Sequence, residues 1–190
     1  CFLVFDSVYR TLYYENKPYV PLSKLNPYLF VVDGFSKWFS ITGWRVGFLM
    51  HDESHCAALR SMHDYTGLCT NSVLQEVLSR FVSKNDFGKQ YSENLRKSLA
   101  GNYLFASEKL NEMGFGCKKS DGGYFIWAEL PAPFSNGFEF AVKLFEKQNV
   151  AIVPGIHFSE KAEKIVRFNI ARPLPELTAG LEKLCDFLRK

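Results

Sequence analysis

Lys37 lies in a small-residue stretch, Gly34 to Gly47 (GFSKWFSITGWRVG), eight positions before Arg45. An amine held at the mouth of a sheet, where loops carry chemistry, can condense with a carbonyl. Arg45 adds a permanent charge and a fork of donors that matches an oxyanion. Asp6 closes the apolar run FLVFD and Tyr9 follows three residues on, so a carboxylate and a phenol can reach neighbouring edges of one small ring. Each of these alone has a plainer reading: a Ser-Lys pair is ordinarily surface, and an Asp before a Tyr after a strand is ordinarily turn chemistry. Their joint arrangement points to a reaction.

An amine to form an imine, an anion beside a pyridine nitrogen and cations around a phosphate are what pyridoxal 5'-phosphate requires of a protein. Asp6 is the candidate for keeping the ring nitrogen protonated. Tyr9 would hydrogen-bond the ring oxygen beside the imine, lowering the imine's pKa so that a substrate amine can attack at neutral pH. Arg45 is the candidate phosphate ligand, and Ser36 is a second one whose alternative is a purely structural role. Lys37, once released from the imine, is the natural proton shuttle.

Four segments carry a more specific resemblance. DSVYRTLYYENKPYVPL, DGFSKWFSITGWRVGFL, DGGYFIWAELP and IVRFNIARP are similar, in order and in their gaps, to landmark segments of the class I/II aminotransferases, the fold-type I pyridoxal phosphate enzymes. The resemblance implies an α/β fold, with the end of the large-domain sheet followed by an α+β carboxyl-terminal small domain. It matches Asp6 to the pyridinium partner, Tyr9 to the ring-oxygen donor, Lys37 to the Schiff-base lysine and Arg45 to the phosphate arginine. Arg167 matches the arginine that clamps the substrate's α-carboxylate, a role suited to a bidentate guanidinium, which fixes plane as well as charge. Without the resemblance Arg167 reads as a strand-end surface arginine.

The chain departs from the family in places. Many relatives carry a serine three residues before the lysine as a phosphate ligand, where this chain has Gly34, and Arg172 stands where relatives often have a small or polar residue. The resemblance is to the carboxyl-terminal half of an enzyme roughly twice this length, since Cys1 opens directly on an apolar strand. The other half would supply the helix amino terminus for the phosphate and the ring that stacks on the cofactor. The 190 residues alone are therefore expected to bind the cofactor weakly or not at all, and not to transaminate.

The elements that must position these residues follow from periodicity. Strands are predicted at Phe2 to Phe5, Tyr28 to Asp33 and Trp44 to Met50, and helices at about Glu53 to Tyr65 and Ser72 to Val82, the second opened by a capping box of Ser72 and Gln75. A long helix is predicted from about Phe87 to Met113, with Phe87, Tyr91, Leu95, Leu99, Ala106, Leu110 and Met113 on one stripe and Gly114 as its stop. Beyond it GGYFIWAE, VAIV and IVRFNI read as strands, and Gly137 to Gln148 and Pro175 to Leu188 as helices. The domains expected are 1–85 for the end of the cofactor-binding domain, 86–114 for the connecting helix and 115–190 for the small domain. Arg167 would come from the small domain and Lys37 from the large one, so that closure on a substrate would exclude water.

An apolar fraction of 47% with 18 Phe is enough for packed cores. A net charge of +3 with no basic run argues against nucleic acid, and no apolar run approaches a membrane span. Five cysteines with no CxxC spacing read as reduced thiols of a cytoplasmic protein. His51, His55 and His63 invite a metal, but Asp52 and Glu53 read as a helix start that leaves His51 outside, and no metal site is assigned. His157 reads as a loop residue. The favoured function is amino transfer between an amino acid and a 2-oxo acid, in a homodimer when full length. A carbon-sulfur lyase or cyclopropane-forming synthase would use the same five residues, and a non-catalytic ligand-sensing domain of a transcription regulator remains open.

Overall fold

The protein is described here by a computed structural model that covers residues 1–22 and 25–189. It divides into two compact units, Cys1–Arg96 and Lys97–Lys190, with the boundary inside the long helix.

In the first unit β1 (Leu3–Asp6), β2 (Leu29–Gly34) and β3 (Gly47–Met50) form a three-stranded sheet in that order. β1 and β2 run parallel, with Asp6 beside Val32, and β2 and β3 run antiparallel, with Gly34 opposite Gly47. The alternation along β2 buries Leu29, Val31 and Asp33, while Phe30 and Val32 are half-buried. The strand predicted from Trp44 starts three residues later. Thr42–Trp44 form a 3-10 turn and Arg45 is left-handed at φ 56°, a conformation that cannot continue an extended strand. β2 leads directly into α1 (Phe35–Trp38), a single turn.

Helices α2 (Cys56–Thr66) and α3 (Ser72–Lys84) follow, the first preceded by a 3-10 turn at Glu53–His55. The capping box predicted at Ser72 is displaced by one residue. Asn71 is the cap and its side chain accepts from the Leu74 N–H at 3.1 Å, while the Gln75 amide donates back to the Thr70 carbonyl at 2.8 Å. An Asn side chain reaches the third amide of the helix as a serine would, so the earlier residue takes the role. His55 contacts the Pro27 carbonyl at 2.8 Å and packs its ring 5.0 Å from that of Phe30.

The long helix is α4 (Lys89–Glu112). It begins two residues later than predicted because Asp86, Phe87 and Gly88 all have positive φ. Phe87 accordingly falls off the stripe and is 64% exposed. Leu99, Ala106 and Leu110 are buried as the stripe requires, together with Asn102, whose side chain donates to the carbonyls of Ile170 and Arg172. Gly114 ends the helix at φ 86°, and the Phe115 N–H donates to the Leu110 carbonyl at 3.0 Å.

The second unit carries an antiparallel sheet of order β4-β5-β7-β6: β4 (Gly116–Cys117), β5 (Phe125–Glu129), β6 (Val153–Pro154) and β7 (Ile165–Asn169). The predicted strands are trimmed, GGYFIWAE to β5 because Gly123 turns at φ 84°, and β4 is an addition too short to show a period. Ile126, Ala128, Val166 and Phe168 point into the core, against Phe140 and Leu144 of α5 (Gly137–Gln148) and Leu177, Leu181, Leu184 and Phe187 of α6 (Leu174–Leu188). The opposite face of the sheet carries Phe125, Trp127 and Arg167, each half-buried. Pro175 sits in the first turn of α6 as expected. Among the described residues no helix is long and apolar enough to cross a membrane.

Candidate active site

Lys37 is carried by α1 at the point where the chain leaves the carboxyl end of β2. Asp6 closes β1, and because β1 and β2 are parallel it lies at the same end of the sheet. Loops beyond the carboxyl ends of parallel strands are where α/β folds gather ligands. Lys37 is half-buried, and its amine lies 5.7 Å from the centre of the Tyr9 ring. Tyr9 in turn lines, with Asp6, a cleft of about 460 Å3 walled by Val8, Arg10 and Tyr19. Asp6 is exposed, accepts from the Val8 N–H at 3.1 Å, and enters no ion pair among the described residues. Its carboxylate is therefore available to a cation that enters the cleft. Amine, phenol and carboxylate thus gather at one end of the first unit.

The turn that bears Lys37 is braced from two sides by residues that sequence reasoning passed over. Asp33, buried at the end of β2, accepts from the Gly34 N–H at 2.7 Å with one oxygen and from Arg10 Nε with the other. The Arg10 guanidinium lies over the Trp38 ring at 5.0 Å, and the Trp38 indole N–H donates to Ser92 of α4 at 2.7 Å. Asp33, Arg10, Trp38 and Ser92 therefore hold the residues before and after Lys37. The signal that could have found them is an Asp followed by Gly at a strand end, with an Arg adjoining Tyr9. Gly34 and Gly47 contribute by their lack of a side chain. A Cβ on Gly34 would sit 3.2 Å from the Gly47 Cα, and one on Gly47 would sit 3.1 Å from the Asp33 carbonyl oxygen. A side chain at either position would require its neighbours to shift by a few tenths of an ångström.

Ser36 is half-buried beside Lys37. Arg45 is exposed, and its guanidinium folds back to donate to the Thr42 carbonyl at 2.9 Å. Arg167 belongs to the second unit, in the middle of β7. Its guanidinium carbon lies 4.0 Å from the Phe125 ring centre, 4.4 Å from that of Phe158 and 5.9 Å from that of Trp127. Its Nε is buried and has no hydrogen-bond partner among the described residues. A buried, charged donor with nothing to donate to is costly, and this is not how a strand-end surface arginine is built. Asn102, which ties α4 to the segment after β7, was also missed, because an Asn on an apolar stripe carries no signal of its partner.

Residues 1–184 match the family described as aminotransferase class I and II. The chain belongs to that family. Class I and II aminotransferases are pyridoxal phosphate-dependent, and the donor set here fits that cofactor: a half-buried amine beside a phenol ring, and an exposed carboxylate that shares a cleft with that phenol and enters no ion pair among the described residues. Among its relatives is the Bacillus subtilis protein named "Probable N-acetyl-LL-diaminopimelate aminotransferase", 30% identical over all of this chain and 47% of its own length. The aspartate aminotransferase of Thermotoga maritima superposes with a TM-score of 0.85 at 26% identity, over 100% of this chain and 48% of that one. A Methanococcus jannaschii protein, described as similar in its active site to kynurenine aminotransferases, shares the fold with a TM-score of 0.88 at 23% identity, over 98% of this chain and 50% of its own. The chain spans about half the length of the relatives it matches.

Proposed function

We propose that this chain supplies the Schiff-base lysine and the substrate-carboxylate arginine of a pyridoxal phosphate-dependent aminotransferase, moving an amino group from an amino acid to a 2-oxo acid. The observation that carries the proposal is the Lys37 amine held over the Tyr9 ring, at the strand end where Asp6 also stands. Family membership supports it, as does the naming of its relatives as aminotransferases, which favours amino transfer over the lyase, synthase and sensor alternatives.

Bound pyridoxal 5'-phosphate would supply an aldehyde for amines and a ring that accepts an electron pair. Toward it, Asp6 would pair with the ring N–H, Tyr9 would donate from its hydroxyl to the ring oxygen, and Arg45, with Ser36, would meet the phosphate. Arg45 has donors to spare, since among the described residues it is Nη1 that is engaged, with the Thr42 carbonyl. Lys37 Nζ, held by the braced turn, would take the α-proton of the substrate and deliver it to the cofactor's imine carbon, which leaves the amino group with the cofactor. Arg167 would meet the substrate carboxylate with the terminal nitrogens of its guanidinium, which the rings of Phe125 and Phe158 hold in place. In domain terms, residues 1–85 complete the cofactor-binding domain, 86–114 connect, and 115–190 carry the carboxylate-binding arginine. We place the protein in the cytoplasm as a homodimer; five unpaired cysteines, three of them exposed, support a reducing compartment.

The test is an assay of the full-length protein with pyridoxal 5'-phosphate, a panel of amino acids and 2-oxoglutarate as acceptor, run beside release of pyruvate and ammonia from cystathionine. Amino transfer that disappears in Lys37→Ala, with no lyase activity, is the expected result. Lyase activity without transfer, or transfer undiminished in Lys37→Ala, would refute the proposal.

A further inference from the structure

On the face of the second sheet turned away from the core, Arg167 stands in register between Trp127 of β5 and Val153 of β6. Phe125 and Phe158 both lie within stacking distance of its guanidinium, at 4.0 and 4.4 Å. Phe158 is itself fixed by an edge contact with Trp127, ring centres 5.0 Å apart. An aromatic face attracts a guanidinium and aligns its plane, so the rings fix the orientation of an ion that would otherwise swing on a long side chain. All the donors of a guanidinium lie in its plane, and here the buried Nε among them is unpartnered. Nε is covered by the protein, so the approach left to an anion lies in the guanidinium plane at the two terminal nitrogens.

We propose that Phe125, Trp127 and Phe158 form a slot that makes Arg167 selective for planar oxyanions, admitting a carboxylate and rejecting a phosphonate or sulfonate in the same position. A carboxylate places both oxygens in the guanidinium plane, where two parallel N–H···O bonds form. A tetrahedral anion placing two oxygens there must direct a third out of the plane, toward a ring that cannot hydrogen-bond it. Phe125 and Phe158 are thus positioning residues: they act on the substrate through Arg167. The inference rests on the reading of Arg167 as the carboxylate anchor and adds the basis of its selectivity.

The test uses the full-length, cofactor-loaded protein. The KM of its best amino acid is compared with the inhibition constant of the 1-aminoalkylphosphonate bearing the same side chain. In the wild type the phosphonate should bind at least about tenfold more weakly, and Phe125→Leu and Phe158→Leu should each narrow that gap to about threefold or less. The same variants should raise KM for the amino acid while kcat at saturation changes little, a split that general loss of fold would not produce. Phe125→Tyr and Phe158→Tyr, which keep a ring face, should keep the gap. If a leucine variant does not fold, the methionine variant, which fills the space without a ring face, is read in the same way. A gap unmoved in folded variants at both positions overturns the slot, while Arg167→Gln still raising KM leaves the anchor standing. Arg167→Gln without effect on KM overturns the anchor and the slot together.

Discussion

A lysine amine over a phenol ring and a carboxylate that enters no ion pair among the described residues are local arrangements with local tests. Lys37→Ala in the full-length protein should lower amino transfer by at least about 10^2-fold, with thermal unfolding unchanged and the near-visible absorbance on adding pyridoxal 5'-phosphate lost. Retention of that band in the variant would assign the imine to another amine. Burial pushes the Cys117 thiol above its ordinary value, so at any pH below that value it holds less thiolate than an exposed cysteine. Cys117 should therefore react with a thiol reagent at pH 8 more slowly than Cys56 or Cys69, which are exposed. Mass spectrometry of partially labelled protein reads the order, and equal rates would contradict it.

At the scale of elements, the turn bearing Lys37 depends on a buried ion pair and α3 depends on its cap. Asp33→Ala removes the buried carboxylate that holds the Gly34 N–H and the part-exposed Arg10 guanidinium, and should cost about 2 kcal/mol, seen as a lower urea midpoint for the first unit. A loss under about 1 kcal/mol would mean that Arg10 and Asp33 behave as a surface pair. Asn71→Ala should cost about 1 kcal/mol and Ser72→Ala less than about 0.5 kcal/mol, because only Asn71 caps an amide of α3. The reverse order would restore the cap to the residue the sequence pattern favours. β2, α2 and α3 were legible because their apolar periods are long and bounded by turn residues. β3 and the start of α4 were not, because left-handed backbone at Arg45 and at Asp86 to Gly88 leaves no mark in residue type except at the glycine.

Across the whole molecule, the two units differ in how much apolar surface they bury. The second unit has a continuous core joining Leu110, Ile126, Phe140, Leu144, Val166 and Leu184, none more than 1% exposed, whereas the cluster behind Lys37 has Phe39, Val46 and Leu78 as its buried members. In the first sheet Phe2, Leu3 and Val4 of the β1 region are each more than half exposed. Amide hydrogen exchange should therefore be slowest in β5 and β7 and faster in β1 and β2, since protection follows the local free energy of opening. Slower exchange in β1 than in β7 would contradict this account.

The four motif segments in their order made the family legible, and residue types named the candidate groups, because an amine, a carboxylate, a phenol and two guanidiniums at fixed chain positions are side-chain identities. The strand and helix order followed as well, because burial of one face imposes a period. Tertiary structure alone decided what holds those groups in place: the Arg10 and Asp33 pair that steadies the lysine turn, the close approach of Gly34 to Gly47, and the three rings around Arg167. Those partners are distant in sequence, and which of them meet is set by strand register and helix packing.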